Sequence, residues 1–214
     1  GGLAAGDGVF RWDVFVVTLA AAVLINVGVN FANDASDARR GTDTEARIGP
    51  PRAVASGWIT ERTMWWGVAI AFGLAAAGGV YLATVAGWPI IAIGAASLVA
   101  ALGYTGGPTP YGYRGLGEVF VFVFFGLAAT VGSRFAHDGT APLDAWLLAV
   151  PLGMLVTAIL VANNVRDIDT DRPAGKRTLA VLLGRRRTRH LYALLMLGGF
   201  PLIGWFAAAG WTPG

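Results

Sequence analysis

Residues 145–171, AWLLAVPLGMLVTAILVANNVRDIDTD, decide the fold. The apolar part of this stretch, residues 145–162, contains no acidic or basic side chain. About 20 helical residues, each rising about 1.5 Å, cross the hydrocarbon core of a bilayer. The apolar part is therefore long enough for a membrane-spanning helix. The polar part begins at Asn163 and carries three aspartates, which places carboxylates where such a helix meets water.

A second stretch near the start of the chain repeats this design. Residues 14–37 read VFVVTLAAAVLINVGVNFANDASD, again an uncharged run followed by asparagines and aspartates. Helical spacings of three and four bring side chains to one face. Two polar stripes result, one made of Asn26, Asn30, Asn33, Asp34 and Asp37, the other of Asn163, Asp167 and Asp171. Because such polarity is costly to bury in lipid, each stripe is expected to face a hydrated cavity lined by protein.

The composition indicates an integral membrane protein. Of the 214 residues, 55% are hydrophobic and only 14% are charged, and the mean hydropathy is +0.59. The chain contains no cysteine, so helix packing rather than disulfides must hold the fold. The predicted fold class is all-α, a multi-spanning transmembrane helix bundle in a single domain at 1–214. The predicted spans are residues 12–33, 60–84, 88–104, 115–134, 143–163 and 188–209.

The basic residues predict the orientation of the bundle. Alternating loops place 14 of the 16 Lys and Arg residues on one side of the membrane. By the positive-inside rule this side is cytoplasmic, and both acidic helix ends lie on it. The loops 38–59 and 172–187 are expected to cap the site there. The net charge of +3 requires no nucleic acid partner. The chain starts at Gly1 without a methionine, so we expect a fragment truncated at both ends.

The two acidic ends together predict a metal and polyanion site. Several carboxylates repel one another, and any anionic ligand, unless cations lie between them. Hard oxygen ligands of this kind suit Mg²⁺ that bridges a substrate phosphate. Basic side chains nearby are expected to contact phosphate directly, with arginine able to pair bidentately; they are Arg47, Arg52, Arg166, Lys176 and Arg177. The result is a diphosphate clamp that faces an apolar interior.

Other interpretations of the acidic ends exist. A single aspartate-rich helix end is commonly a solvated cap or a topology signal, but two ends with the same Asn-to-Asp spacing disfavour that interpretation. A divalent-cation channel or transporter would use the ends as an ion pathway. The lack of charge in the middle of the helices argues against conduction. A purely structural subunit leaves the duplicated motif unexplained.

Four stretches of the chain resemble the UbiA superfamily of intramembrane aromatic prenyltransferases, and most closely its 1,4-dihydroxy-2-naphthoate branch. They are residues 30–50, 52–57, 104–118 and 163–180, which include NFANDASDARRG, YTGGPTPYGYRGLGE and NNVRDIDTDRPAGKRTLA. The chain departs from the broad superfamily pattern at Gly41 and Gly175, and both departures resemble the naphthoate branch. The family fold has roughly eight or nine transmembrane helices, of which about six are visible here.

The resemblance implies roles for the polar residues. Asp34, Asp37, Asp167 and Asp171 would hold Mg²⁺ and the diphosphate of an isoprenoid donor. Arg47, Arg166 and Lys176 would neutralise the departing diphosphate. The remaining substrate-binding residues implied by the resemblance are Asn30, Asn33, Arg52, Asn163 and Asn164, the aromatic residues Tyr104, Tyr111 and Phe31 beside the allylic cation, and Asp43 or Glu45 beside the acceptor.

The implied activity is Mg²⁺-dependent transfer of a polyprenyl group from its diphosphate to 1,4-dihydroxy-2-naphthoate. The acceptor loses its carboxylate, and the product is demethylmenaquinone. Alternative acceptors within the superfamily are 4-hydroxybenzoate, homogentisate and chlorophyllide. The expected location is the inner or plasma membrane, with several passes through the bilayer and the site on the cytoplasmic side.

Overall fold

The computed structural model describes residues 1–42 and 49–209, and these residues form helices and connecting loops without a β-strand. The all-α prediction is confirmed. The four longest helices are α2 (Trp12–Arg40), α3 (Glu61–Ala86), α7 (Leu143–Asp171) and α9 (Arg185–Ala208). The shorter ones are α1 (Gly2–Gly6), α4 (Pro89–Thr105), α5 (Gly117–Val121), α6 (Ala129–Asp138) and α8 (Leu179–Leu183). A 3₁₀ turn, Tyr111–Arg114, precedes α5, and a π-helical segment, Phe122–Ala128, joins α5 to α6.

Five helical segments within the described ranges are long and apolar enough to cross a membrane. They are Trp12–Arg40, Glu61–Ala86, Gly117–Asp138, Leu143–Asp171 and Arg185–Ala208. Helix α4 was also predicted to span, but it has 17 residues and is shorter than these five. Pro89 occupies its first turn and Gly106 ends it, so both boundaries are set by helix-breaking residues. The chain is a multi-pass membrane protein.

The two acidic helix ends are longer than the apolar pattern predicts. Helix α2 continues from residue 33 to Arg40 and ends at Gly41, whose φ of 67° lies in the left-handed region. Helix α7 continues from residue 163 to Asp171, and Pro173 follows it after one residue. Hydropathy indicates only where a helix leaves the lipid, whereas a helix-breaking glycine or proline determines where the helix ends. The aspartates therefore lie on helical turns outside the apolar core.

The bundle has two main helix pairs, and its outer surface is apolar. Helix α2 packs along α3, and α7 packs along α9. Large apolar side chains point outwards, for example Val99 with 72% and Leu197 with 74% of their surface exposed. In a water-soluble protein such exposure would be unfavourable, whereas lipid tails are as apolar as these side chains. The surface thus fits a lipid environment.

Glycines allow the π-helical segment to touch α7. A Cβ atom built on Gly126 would lie only 2.4 Å from the Cα atom of Gly153, so two backbones meet here without side chains between them. Small residues commonly permit such close approach between membrane helices. The contact fixes the position of α5 against α7, and residues of both helices meet near the acidic ends.

The opposite end of the bundle is held by a buried ion-pair cluster. Arg134 of α6 is 4% exposed, and its guanidinium donates to Asp7 at 2.5 Å and to Asp138 at 2.8 Å. His137 is also buried, and its Nδ1 atom accepts a hydrogen bond from the backbone N–H of Arg11. These contacts tie the first residues of the chain to α6.

Candidate functional site

Asp34 connects the end of α2 to the loop that follows it. Its side chain is buried, and its two carboxylate oxygens accept hydrogen bonds from the backbone N–H groups of Ala53 at 2.9 Å and Val54 at 3.1 Å. Arg52 directly precedes these two residues and is half-buried. Asp34 therefore holds this part of the loop, and with it Arg52, against the helix end.

Asp37 lies at the centre of the site. It is 3% exposed, and its carboxylate accepts hydrogen bonds from the Tyr113 hydroxyl at 2.5 Å and from the Lys176 ammonium at 2.8 Å. The backbone N–H of Lys176 also donates to the carbonyl oxygen of Asp171, at 2.9 Å. One residue thus links the end of α2 to the end of α7. The structure brings together the two acidic ends.

Tyr113 is a further member of this cluster, and no role was predicted for it. The Lys176 ammonium lies 5.1 Å from the centre of its ring, and the Arg40 guanidinium lies 5.7 Å from it. Such distances are typical of cation–π contacts. Burial and the neighbouring Asp37 carboxylate raise the pKa of the Tyr113 hydroxyl, which therefore stays protonated and donates. The sequence contained one signal for Tyr113: it is an aromatic residue next to Arg114, in a loop at the polar end of the bundle.

The predicted aromatic residues Tyr104 and Tyr111 lie together beside the acidic ends. Their rings are 5.5 Å apart in an edge-to-face arrangement, and Tyr111 stacks on Phe120 with 3.8 Å between ring centres. The Tyr111 hydroxyl donates to a backbone carbonyl at 2.7 Å, and burial raises the pKa of Tyr111 to about 12. The charges of Asp37 and Asp171 both act on the Tyr104 hydroxyl. Tyr104, Tyr111 and Phe120 form what we call the aromatic wall.

Phe31, in contrast, is not part of the aromatic wall. It packs between α2 and α3, where its ring lies next to Gly67 and the apolar cluster around Val68 and Phe72. It supports the packing of the α2–α3 pair.

The carboxylates and base at the end of α7 form a local ion pair. Arg166 donates two hydrogen bonds to the carboxylate of Asp167, at 2.6 and 2.7 Å, and the charge of Asp171 also acts on its guanidinium. Asp169 faces another way, because its exposed carboxylate pairs with Arg185 at 2.9 Å. Asp167 and Asp171 therefore lie on one face of α7, and Asp169 lies on another.

The two neighbouring asparagines of α7 face different surroundings. Asn163 is exposed and lines a cavity of about 360 Å³ between α7 and α9, together with Tyr192 and Phe200. Asn164 is buried and donates to the Oε1 atom of Glu118 at 2.9 Å. Asn164 thus contacts α5, the helix that also carries Phe120 of the aromatic wall. Glu118 had no predicted role, although it is a rare carboxylate beside an apolar run.

The asparagines of α2 have protein partners. The Oδ1 atom of Asn33 accepts from the Thr105 hydroxyl at 2.8 Å, which joins α2 to the end of α4. Asn30 is exposed and donates to the backbone carbonyl and the side chain of Asn26. Three further residues with predicted roles, Asp43, Glu45 and Arg47, lie outside the described residues.

The carboxylates suit a hard divalent cation in their chemistry. No three residues of the types His, Cys, Asp and Glu lie close enough to hold a metal ion in ranges 1–42 and 49–209. Magnesium does not require such a cluster, because it keeps several waters and commonly binds through one or two carboxylates plus substrate phosphates. Asp34 and Asp37 on α2 and the α7 pair Asp167 and Asp171 provide oxygen ligands of this kind.

The whole chain, residues 1–214, matches the UbiA prenyltransferase family. Two bacterial relatives are both named 1,4-dihydroxy-2-naphthoate octaprenyltransferase. The relative from Mycobacterium tuberculosis is 44% identical over 189 residues, which is 88% of this chain and 64% of the relative. The relative from Escherichia coli is 38% identical over 210 residues, which is 95% of this chain and 68% of the relative. The chain thus spans about two thirds of the length of these relatives.

A eukaryotic relative matches a smaller part of the chain. The UbiA prenyltransferase domain-containing protein 1 homolog of Drosophila melanogaster is 36% identical over 99 residues. These residues are 46% of this chain and 27% of the fly protein. The resemblance noted from the four sequence stretches is confirmed.

Proposed function

Because the chain belongs to the UbiA prenyltransferase family, we propose that the protein is a membrane-embedded aromatic prenyltransferase. It transfers a polyprenyl group from its diphosphate to 1,4-dihydroxy-2-naphthoate, which loses its carboxylate as carbon dioxide to give demethylmenaquinol, the hydroquinone form of demethylmenaquinone. The names of the bacterial relatives support this acceptor. The observation that carries the proposal is the ion pair between Asp37 of α2 and Lys176, which lies five residues after Asp171 at the end of α7. This ion pair supports a single site formed by both acidic ends next to the aromatic wall.

The diphosphate of the donor binds at the acidic ends. Lys176 and Arg166 supply positive charge there, and Arg52 is held nearby by the contacts of Asp34 with the adjoining backbone. Arg47 is a predicted contributor outside the described residues. Guanidinium groups match phosphate oxygens in pairs, whereas the Lys176 ammonium acts as a point charge.

Magnesium fits this site by the chemistry of its ligands. Asp34, Asp37, Asp167 and Asp171 would hold it, and bound Mg²⁺ would supply positive charge to the diphosphate oxygens. Two of these carboxylates, Asp37 and Asp167, already pair with Lys176 and Arg166, so the protein balances part of their charge before the substrate arrives. In the substrate complex, the bases and bound Mg²⁺ would together neutralise the charge of the diphosphate.

The reaction exchanges a C–O bond for a C–C bond. The allylic C–O bond breaks, and the diphosphate leaves with the bonding electron pair, which Lys176 and Arg166 stabilise. The faces of Tyr104 and Tyr111 stabilise the allylic cation. The electron-rich ring of the acceptor then attacks the cation. The loops after α2 and α7 exclude water that would otherwise trap it.

The site faces the cytoplasm in this proposal. The positive-inside rule supports this orientation, because bases cluster around the ends of α2 and α7. The polyprenyl tail is lipid-soluble, so it lies among the apolar helices while its diphosphate stays at the polar end. Such an arrangement lets both substrates reach one site from different phases.

The test is a product assay with the full-length protein in nanodiscs. Mg²⁺, a polyprenyl diphosphate and 1,4-dihydroxy-2-naphthoate are supplied, and lipid products are identified by mass spectrometry. We expect demethylmenaquinol, which air oxidises to demethylmenaquinone during extraction, and an equal amount of released diphosphate. 4-Hydroxybenzoate and homogentisate serve as competing acceptors. A prenylated hydroxybenzoate in the absence of demethylmenaquinone would overturn the assignment of the acceptor.

A further inference from the structure

Glu118 is a buried carboxylate with one unused oxygen. It lies in the first turn of α5 and is 5% exposed. Its Oε1 atom accepts the hydrogen bond from Asn164, while its Oε2 atom is fully buried and has no hydrogen-bond partner among the described residues. Buried polar atoms are nearly always hydrogen-bonded, because an unsatisfied one lowers stability. We therefore expect the Oε2 atom to accept a hydrogen bond from a bound ligand.

The surroundings of Glu118 indicate the chemistry of that ligand. The adjoining residue, Gly117, lies against Tyr104, since a Cβ atom on it would be 3.5 Å from the Tyr104 hydroxyl. The charge of Glu118 acts on the same hydroxyl. Two residues after Glu118 comes Phe120, which stacks on Tyr111. Helix α5 thus carries both Glu118 and one ring of the aromatic wall, and all three rings of the wall are half-buried.

A negatively charged group is poorly suited to a diphosphate, and the bases of the site lie around Asp37 and Asp167 instead. A carboxylate oxygen is an acceptor, so its natural partner is a hydroxyl or N–H donor. Flat rings pack well against Tyr and Phe faces. A hydroxylated aromatic ring satisfies both requirements.

From this geometry we propose that Glu118 binds the aromatic acceptor, with its Oε2 atom accepting the hydrogen bond from a ring hydroxyl while the acceptor ring packs on the aromatic wall. Asn164 holds the Oε1 atom and so orients the carboxylate. This inference rests on the proposed function and names a second-substrate site for it. Asp43 and Glu45, predicted earlier beside the acceptor, are not needed for this contact.

Glu118 also takes part in the proton movement of the reaction. As the ring carbon that bears the carboxylate forms its bond to the allylic carbon, the hydroxyl proton moves to Oε2 and its oxygen becomes a carbonyl. Loss of carbon dioxide returns the C–C electron pair to the ring. The ring oxygen then recovers its proton from Glu118. The exchange leaves Glu118 unchanged after each turnover.

The test replaces the acceptor oxygen by a donor of the same shape. In Glu118→Gln, the amide oxygen still accepts from Asn164, and an NH₂ group takes the place of Oε2. We expect the KM for dihydroxynaphthoate to rise about tenfold or more, the size typical of losing a hydrogen bond to a charged group. The KM for the polyprenyl diphosphate is expected to change less than about twofold. Glu118→Asp, which keeps the carboxylate, should recover part of the acceptor affinity.

Controls separate this effect from damage to the fold. Glu61→Gln changes a glutamate in the first turn of α3 that binds Trp65, away from the aromatic wall, and should leave both KM values unchanged. If Glu118→Gln does not fold, the comparison is made with Glu118→Asp, which must show a raised KM for the acceptor alone. An unchanged acceptor KM, or equal losses for both substrates, overturns the inference. A wild-type protein that forms no prenylated product overturns the proposed function instead.

Discussion

At the scale of single residues, the site depends on which partner each carboxylate has. Asp167 and Asp169 are two residues apart on the same helix end, yet Arg166 binds the first and Arg185 binds the second. Both are aspartates, both are ion-paired, and both lie near the membrane surface. Their difference lies in the direction they face around α7, so the pair provides a matched comparison.

We expect Asp167→Asn to lower the kcat for prenyl transfer about a hundredfold, or about 2.7 kcal/mol of transition-state stabilisation. The physical reason is that this carboxylate belongs to the proposed diphosphate clamp. Asp169→Asn should retain at least about half of the wild-type rate. Steady-state kinetics in nanodiscs measure both. Equal rates for the two variants would remove Asp167 from the clamp.

Tyr113 gives a pH-dependent prediction. Burial and Asp37 raise its pKa above that of a tyrosine in the unfolded chain, about 10. Below pH 10 the stabilisation is fully present; above it the unfolded chain releases the proton first, so stability declines as pH rises towards the folded pKa. Tyr113→Phe should lose about 1 kcal/mol at pH 8 and show a smaller decline above pH 10. Thermal unfolding in detergent at pH 8 and at pH 11 measures both effects.

At the scale of helices, the close approach of the π-helical segment to α7 is the most sensitive contact. We expect Gly126→Ala to lower the stability by about 1–3 kcal/mol, because the new Cβ atom meets the backbone of Gly153. The melting temperature in detergent reports the change. Gly132→Ala serves as the control. Gly132 lies in α6, which continues the π-helical segment, and its new Cβ atom would make only an ordinary contact with Ile93 at 3.8 Å. A similar melting temperature for both variants would contradict the prediction.

The helices themselves were predictable, whereas their ends were not. Uncharged runs such as residues 145–162 establish that spanning helices exist. They say nothing of where the turns stop, because Asp37 and Asp167 tolerate helical backbone as well as the apolar residues do. Gly41 and Gly175 were noted only as departures from a pattern. Gly41 has a φ angle of 67° and Gly175 a φ angle of 76°. A residue with a side chain would be strained in this conformation, which gives a physical reason for glycine at both positions.

The candidate site was predictable only where neighbouring residues on one helix form it. The spacing of Asp34 and Asp37 placed them on one helix face, and the structure keeps them buried at the polar end. Tyr113 could not be ranked from sequence, because its contact with Asp37 joins residues 76 positions apart. Glu118 was overlooked since it starts an apolar helix, where a lone carboxylate resembles an ordinary first-turn acid.

At the scale of the whole molecule, the described fold is held together by contacts between protein groups. Helix packing, the buried Arg134 cluster and the Asp37–Lys176 ion pair all join distant parts of the chain. Magnesium would therefore serve catalysis rather than folding. EDTA is expected to abolish prenyl transfer while shifting the melting temperature by less than about 2 °C. Restoring Mg²⁺ should restore the activity, and a large loss of thermal stability in EDTA would contradict this separation.

The single ammonium of Lys176 has a consequence for substrate exchange. The ammonium joins two helix ends when it binds Asp37, and in the proposed reaction the diphosphate binds the same ammonium. Donor binding and loop attachment therefore compete for one side chain, and each weakens the other by an equal free energy. The ion pair lowers the affinity for the released diphosphate as much as for the incoming one. Re-formation of the Asp37–Lys176 ion pair therefore favours release of the product diphosphate. The contact that organises the site also promotes substrate exchange.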